Sequence, residues 1–140
     1  MLTLRFGFVG CLLWDASGVG RDVDPDELAG CFVVEVGERQ AWPFITFADG
    51  GSARPREARL YLDSLWQVRP PSESSGALLA SAEVCRLLDL SNLTVERAQV
   101  SEAGELEVCF ADGSSVTVSG VATADTVGEP WWFTSWTSQG

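Results

Sequence analysis

The sequence predicts a mainly β (α+β) domain, an antiparallel sheet or sandwich built from two related β units with one helix packed across it. Three observations predict this. The hexapeptides FADGGS (47–52) and FADGSS (110–115) stand 63 positions apart, and Asp-Gly behind a β-prone run marks a hairpin tip, because Gly tolerates and Asp accepts the positive φ of a tight primed turn. Around the second copy, Leu106, Val108 and Phe110 alternate with Glu105, Glu107 and Cys109, the period of a strand with one buried face. With one residue inserted or deleted the likeness also extends backwards, so that Leu28-Ala29-Gly30-Cys31-Phe32-Val33 lies over Leu90-Ser91-Asn92-Leu93-Thr94-Val95. Each unit then reads strand, connection, second strand, Asp-Gly tip and return strand.

Taken in order, Leu2-Thr3-Leu4-Arg5-Phe6 alternates as a first strand, and Cys11-Leu12-Leu13-Trp14 returns after a bend between Gly7 and Gly10. Asp24 caps a short helical turn, with Pro25 at its first position, Glu27 completing the capping box and Gly30 ending it. The first unit spans about 28–69. Its return strand is expected over 58–68, with Leu60, Leu62 and Trp66 facing one way and Arg59, Asp63 and Gln67 the other. Pro70-Pro71-Ser72-Glu73-Ser74-Ser75-Gly76 reads as a linker (70–76), and Leu78, Ala82, Cys85 and Leu88 recur at helical spacing, which predicts a helix over 77–88. The second unit spans about 90–136 and ends in an aromatic strand. A chain of 140 residues holds all of this in a single domain, 1–140.

Composition narrows the function. Hydrophobic residues make up 46% and charged ones 21%, which argues against disorder. No apolar run approaches the ~20 residues that cross a bilayer, and the N-terminal residues lack the basic leader and cleavage site of a signal peptide. The expected location is therefore the cytoplasm, with no membrane partner. There Cys11, Cys31, Cys85 and Cys109 are expected as buried reduced thiols rather than disulfides. The formal net charge is −11, every basic residue is Arg, and from Ala98 onward the chain carries six acids and no Arg. Such a field repels phosphates and draws in basic proteins, so direct nucleic-acid binding is not expected.

The chain has no His, which removes the commonest general base near neutral pH and the commonest zinc ligand. No nucleophile elbow, phosphate loop or dinucleotide fingerprint occurs. Glu105 and Glu107 share a strand face, where a solvated pair explains them better than acid/base work. Asp22, Asp24 and Asp26 imitate the start of a calcium loop, but Glu27 and Val33 stand where that loop needs Gly and Glu. No enzyme activity, metal or cofactor is expected. Six Trp stand in the chain, three of them within 131–136. As one strand, that tail puts Trp132 and Trp136 on one face while Trp131 and Phe133 make the strand aromatic on both, so that either both faces are covered or one is a contact patch.

Leu87 to Glu96, then Gly104-Glu105-Leu106-Glu107-Val108-Cys109-Phe110-Ala111-Asp112-Gly113, Val116-Thr117-Val118 and Glu129-Pro130-Trp131-Trp132-Phe133 together resemble a group of small β-rich bacterial proteins of uncharacterised function with a Gly-x-Leu-x-Leu-x-Phe-x-Asp-Gly half-repeat. Small acidic proteins of this type are similar to toxin-immunity proteins. The resemblance covers about residues 28–136 and implies no catalytic residue. It implies a protein that binds and neutralises a cognate basic bacterial toxin. Acidic side chains would pair with a basic cleft and aromatic ones would anchor the contact, which makes Trp131, Trp132, Trp136, Glu102, Glu105 and Glu107 the candidate partner-binding residues. The alternatives are a nucleic-acid-mimicking inhibitor of a defence nuclease and a small-molecule-binding module walled by Trp.

Overall fold

The computed structural model describes residues 23–50, 56–71 and 84–138. The strand pair expected over residues 2–14, Cys11, and residues 77–83 of the expected helix lie outside them. A 3-10 helix at Pro25–Leu28 opens the described chain, with the expected cap: the Asp24 carboxylate accepts from the Asp26 amide and the Glu27 carboxylate from the Asp24 amide at 3.0 Å. Strands β1 (Phe32–Arg39), β2 (Trp42–Asp49) and β3 (Arg56–Leu62) follow as an antiparallel meander, and β4 (Trp66–Arg69) follows them. A second 3-10 helix, Val84–Leu90, leads to a second meander of β5 (Val95–Val100), β6 (Leu106–Phe110) and β7 (Ser115–Val118). The chain ends in β8 (Trp131–Phe133) and β9 (Thr137–Ser138).

The fourth strands are exchanged. β4 follows the first meander but pairs with β7, giving a sheet ordered β4-β7-β6-β5; β8 follows the second meander but pairs with β3, giving β1-β2-β3-β8, with β9 further along β3. The single return strand expected over 58–68 is thus two strands in different sheets, broken at 63–65. A short polar step lets Leu62 and Trp66 both stay in the core while the chain changes sheet.

Hydrogen bonds that join the two halves come in reciprocal pairs. The Gly30 amide donates to the Val95 carbonyl (2.9 Å) and the Asn92 amide to the Val33 carbonyl (2.9 Å); the Val33 amide reaches Leu93 (3.0 Å) and the Val95 amide reaches Cys31 (2.8 Å). At the exchange, the Asp63 amide donates to Pro130 (2.7 Å) and the Ser119 amide to Leu65 (2.8 Å). Phe32 bridges Thr94, its own counterpart in the duplicated sequence. Gly30 and Asn92 occupy equivalent places and both have positive φ, +87° and +67°, a conformation that Gly and Asn adopt most readily. Each meander carries a β-bulge at the same point, between Val33 and Glu35 and between Val95 and Arg97. Equivalent residues that bond each other reciprocally are related by an approximate two-fold axis, here passing by Phe32 and Thr94.

The inner faces of the two sheets share one apolar cluster. Ile45, Phe47, Leu60 and Leu62 come from one sheet, Leu106, Val108, Phe110 and Val116 from the other, and Leu28, Leu87 and Leu90 from the two 3-10 helices. Each such side chain stabilises the fold by roughly 1.5–3 kcal/mol through burial.

Three local expectations are corrected. The described part of the expected helix is 3-10, whose three residues per turn align Val84, Leu87 and Leu90 on the core, so Cys85 faces out and Leu88 is 63% exposed. The second Asp-Gly tip is a three-residue loop rather than a two-residue primed turn: the Phe110 amide donates to Ser114 and the Gly113 amide to Phe110, with only Gly113 at positive φ and the Asp112 carboxylate receiving the Ser114 amide at 2.8 Å. Of the cysteines, Cys31 is buried, Cys109 is half-buried and Cys85 is exposed. Among the described residues no helix is long and apolar enough to cross a membrane.

Candidate functional site

Approximate symmetry makes departures from it conspicuous. β3 reaches β4 in three residues (63–65), whereas β7 reaches β8 in twelve (119–130). That longer connection is tied down along its length. Ser64 Oγ donates to the Val121 carbonyl (2.5 Å), Thr126 Oγ1 to the Asp63 carbonyl (2.6 Å), and the Val127 amide to the Asp63 carboxylate (2.9 Å). Thr123 and Thr126 close a turn inside it. At its start Gly120 packs on the β5–β6 turn so closely that a Cβ would strike the backbone of Ala103 and Gly104. Trp131 Nε1 donates to the Gly104 carbonyl at 2.8 Å, fastening β8 to the same turn.

The result is a fixed, acidic, partly apolar end of the molecule. Glu102, Asp125 and Glu129 are exposed on the two connections and Glu105 is half-buried. Among them stand the two most exposed large apolar residues of the described chain, Val127 (80%) and Val121 (65%). No Arg follows Arg97 in the sequence, so neither connection carries a positive charge. A cleft of about 350 Å³ borders this end, lined in part by Glu38, Asp63, Ser64, Thr123 and Asp125.

A second departure lies on the outer face of the first sheet. Gly37, Phe44, Tyr61 and Trp132 form one cross-strand row, where the second sheet has Gln99, Glu107, Thr117 and Gln67 in the equivalent row. Tyr61 and Trp132 stack at 5.2 Å between centroids, and Trp42 stands edge-on to Trp132 at 5.3 Å. Arg59 lies over Phe44 (4.0 Å) and is held by Glu35 (3.0 Å), Thr46 (3.2 Å) and the Tyr61 hydroxyl (3.1 Å). The Tyr61 hydrogen bond foremost, and Glu35 after it, raise the Arg59 pKa above its ordinary value.

The candidate residues named from the sequence separate accordingly. Glu102, Glu105 and Trp131 gather at the acidic end. Glu107 sits on the outer face of the second sheet, accepting from Gln99 Nε2 at 3.1 Å, and Trp132 belongs to the aromatic row. Trp136 is corrected: it is 3% exposed in the core, donating to Glu27 with the Arg56 guanidinium 4.1 Å above its ring. The expected alternation fails because one extra residue stands between the Thr134 and Thr137 pairings on β3, a bulge that reverses which side the next side chain takes. Trp131 and Phe133 also pack against the core.

Sequence reading missed Trp42, Phe44 and Tyr61 as one surface, although Trp42-x-Phe44 and Arg59-x-Tyr61 both carry the period-two signal. It also missed Val121 and Val127, for which no local signal exists. Burial pushes the Cys31 thiol up to about 11, and burial with Glu107 nearby raises that of Cys109, so neither is an activated nucleophile. Among the described residues no three His, Cys, Asp or Glu side chains gather to hold a metal ion. No family model, curated protein or solved structure matches the chain.

Proposed function

We propose that this chain is a non-enzymatic binding protein, most concretely an immunity protein that neutralises a cognate bacterial toxin by covering a basic cleft. The observation that supports it best is the acidic end: exposed carboxylates of Glu102, Asp125 and Glu129 around Val121 and Val127, on connections held in place by Asp63, Ser64 and Trp131. A rigid surface of this kind needs little ordering on binding, and its exposed apolar residues supply area that water leaves favourably. The surrounding negative field speeds encounter with a cationic partner. Trp132 lies outside this contact surface and Trp136 beneath the exterior, so the binding residues reduce to Glu102, Glu105, Asp125, Glu129, Val121 and Val127, with Trp131 as support.

Co-expression with the product of the adjacent reading frame, read as survival and co-purification, tests the reading. Rescue with a stable complex is expected, weakened by Val127→Asp and by the double charge reversal Glu102→Lys with Asp125→Lys. Absence of both rescue and complex refutes it. Capture of a DNA-processing enzyme in competition with DNA would move the function to nucleic-acid mimicry.

A further inference from the structure

We infer that the outer face of the first sheet is a saccharide-binding site, which takes a neutral sugar ring into the corner between the half-exposed indoles of Trp42 and Trp132, set at 85° to each other, and directs its hydroxyl groups into the cleft beside Tyr61. The inference is independent of the toxin reading and uses a different face.

Backbone and side chains build an aromatic strip there, in which Tyr61 stacks on Trp132 and Trp42 stands at 85° to Trp132. Gly37 leaves room for Phe44: a Cβ would sit 3.1 Å from its ring, so the ring lies across β1, as aromatic residues opposite strand glycines do. Arg59 then covers Phe44 and is neutralised by Glu35. The cation that the strip attracts is thus already supplied by the protein, and Trp42 and Trp132 remain as the half-exposed rings. Their faces are electron-rich and attract polarised C–H groups, which the apolar face of a sugar ring presents.

Beside the strip lies a cleft of about 200 Å³, lined in part by Thr46, Arg59, Tyr61, Thr134 and Thr137. Its hydrogen-bonding capacity is partly spent and partly left over. Tyr61 Oη accepts from Arg59 (3.1 Å) and Thr134 Oγ1 accepts from the Arg59 amide (3.0 Å), so each hydroxyl keeps its proton to donate. Thr137 Oγ1 donates to the Glu57 carbonyl (3.4 Å) and keeps its lone pairs. Two hydroxyl donors and one hydroxyl acceptor, in a cleft that one acid (Glu57) and one base (Arg59) line without net charge, match a polyhydroxylated neutral ligand. An anion would have to displace Glu35 from Arg59 within a chain of net charge −11. The equivalent face of the second sheet, with Gln99, Glu107, Thr117 and Gln67 in the row, has no ring to offer.

The test is calorimetric titration of the full chain, with Trp fluorescence alongside, against the hexasaccharides of β-linked glucose, α-linked glucose, β-linked N-acetylglucosamine and β-linked mannose. A polyproline peptide and sodium sulfate serve as the rival probes. At least one hexasaccharide is expected to bind and change the Trp emission. Trp132→Gln, which installs the residue of the second half, and Thr137→Val, at an exposed threonine that leaves the core intact, should each weaken binding at least about tenfold. Gln67→Ala should leave it unchanged. The inference is overturned if no hexasaccharide binds at about 10 mM, if binding survives both Trp132→Gln and Thr137→Val, or if only the peptide or sulfate binds.

Discussion

The two halves of this chain share a skeleton and differ in what they present. The order of their first three strands, the bulges after Val33 and Val95, left-handed Gly30 and Asn92 and the crossing hydrogen bonds correspond, down to Trp66 and Trp131, each opening the strand that its half gives away. Yet one outer row reads Gly37, Phe44, Tyr61, Trp132 and the other Gln99, Glu107, Thr117, Gln67, and one crossing takes three residues where the other takes twelve. Exchange of the fourth strands explains why the skeleton is kept: each half completes the sheet of the other, so neither can drift without loss to both. Outer faces and connections carry no such constraint, and loops on a rigid scaffold are where binding commonly resides.

Equivalence in the core is the strongest part of the comparison and the easiest to break. Phe47 and Phe110 precede the two Asp-Gly tips and are both fully buried. Phe47→Ala and Phe110→Ala should each cost about 3–5 kcal/mol, with similar values in urea unfolding; loss from one site alone would mean two unequal cores. A pH effect should separate the halves next, because Cys31 is buried where its counterpart is Leu93. The Cys31 thiol titrates at about 11 when folded, above its ordinary 9, so its contribution is complete below pH 9 and is lost as pH rises through 11. About 2–3 kcal/mol should disappear over that range, and Cys31→Ala should remove this part of the loss, leaving what the raised Cys109 thiol of the other half carries.

Smaller effects sharpen the comparison at single positions. Gly30→Ala forces a Cβ into the left-handed region and should cost about 1–2 kcal/mol through backbone strain alone, since nothing lies near its missing Cβ, and Asn92→Ala, which exchanges a side chain that favours this region for one that does not, should cost about 1 kcal/mol or less. Tyr61 and Thr117 are also counterparts, but Tyr61 Oη is hydrogen-bonded by Arg59 whereas the buried Thr117 Oγ1 has no partner among the described residues. Thr117→Val should therefore stabilise the protein by about 1 kcal/mol, while Tyr61→Phe should not; thermal melts of the two variants decide it.

Much of the skeleton was legible because it is local. The period-two run around Val108, the cap at Asp24 and the repeated Asp-Gly behind β-prone residues marked strands, the 3-10 turn and the second hairpin end. The sheet exchange at Asp63 was not, because Leu60, Leu62 and Trp66 keep one apolar face whether the chain stays in its sheet or leaves it. Trp136 was misplaced by one bulged residue, which no propensity records, and the helix at Cys85 and Leu88 by the difference between 3.0 and 3.6 residues per turn. For the site, Glu102 and Glu105 could be named from charge alone, whereas Val121 and Val127 owe their exposure to hydrogen bonds from residues about sixty positions away.

The most direct test of the account replaces residues 119–130 with Asp-Ser-Leu, the three residues that make the equivalent crossing at 63–65. The shortened protein is expected to unfold cooperatively like its parent, since the skeleton needs no more chain, and to lose the rescue and co-purification expected of the proposed immunity function. Failure to fold would contradict the equivalence of the halves; retained neutralisation would contradict the assignment of binding to the connection that they do not share.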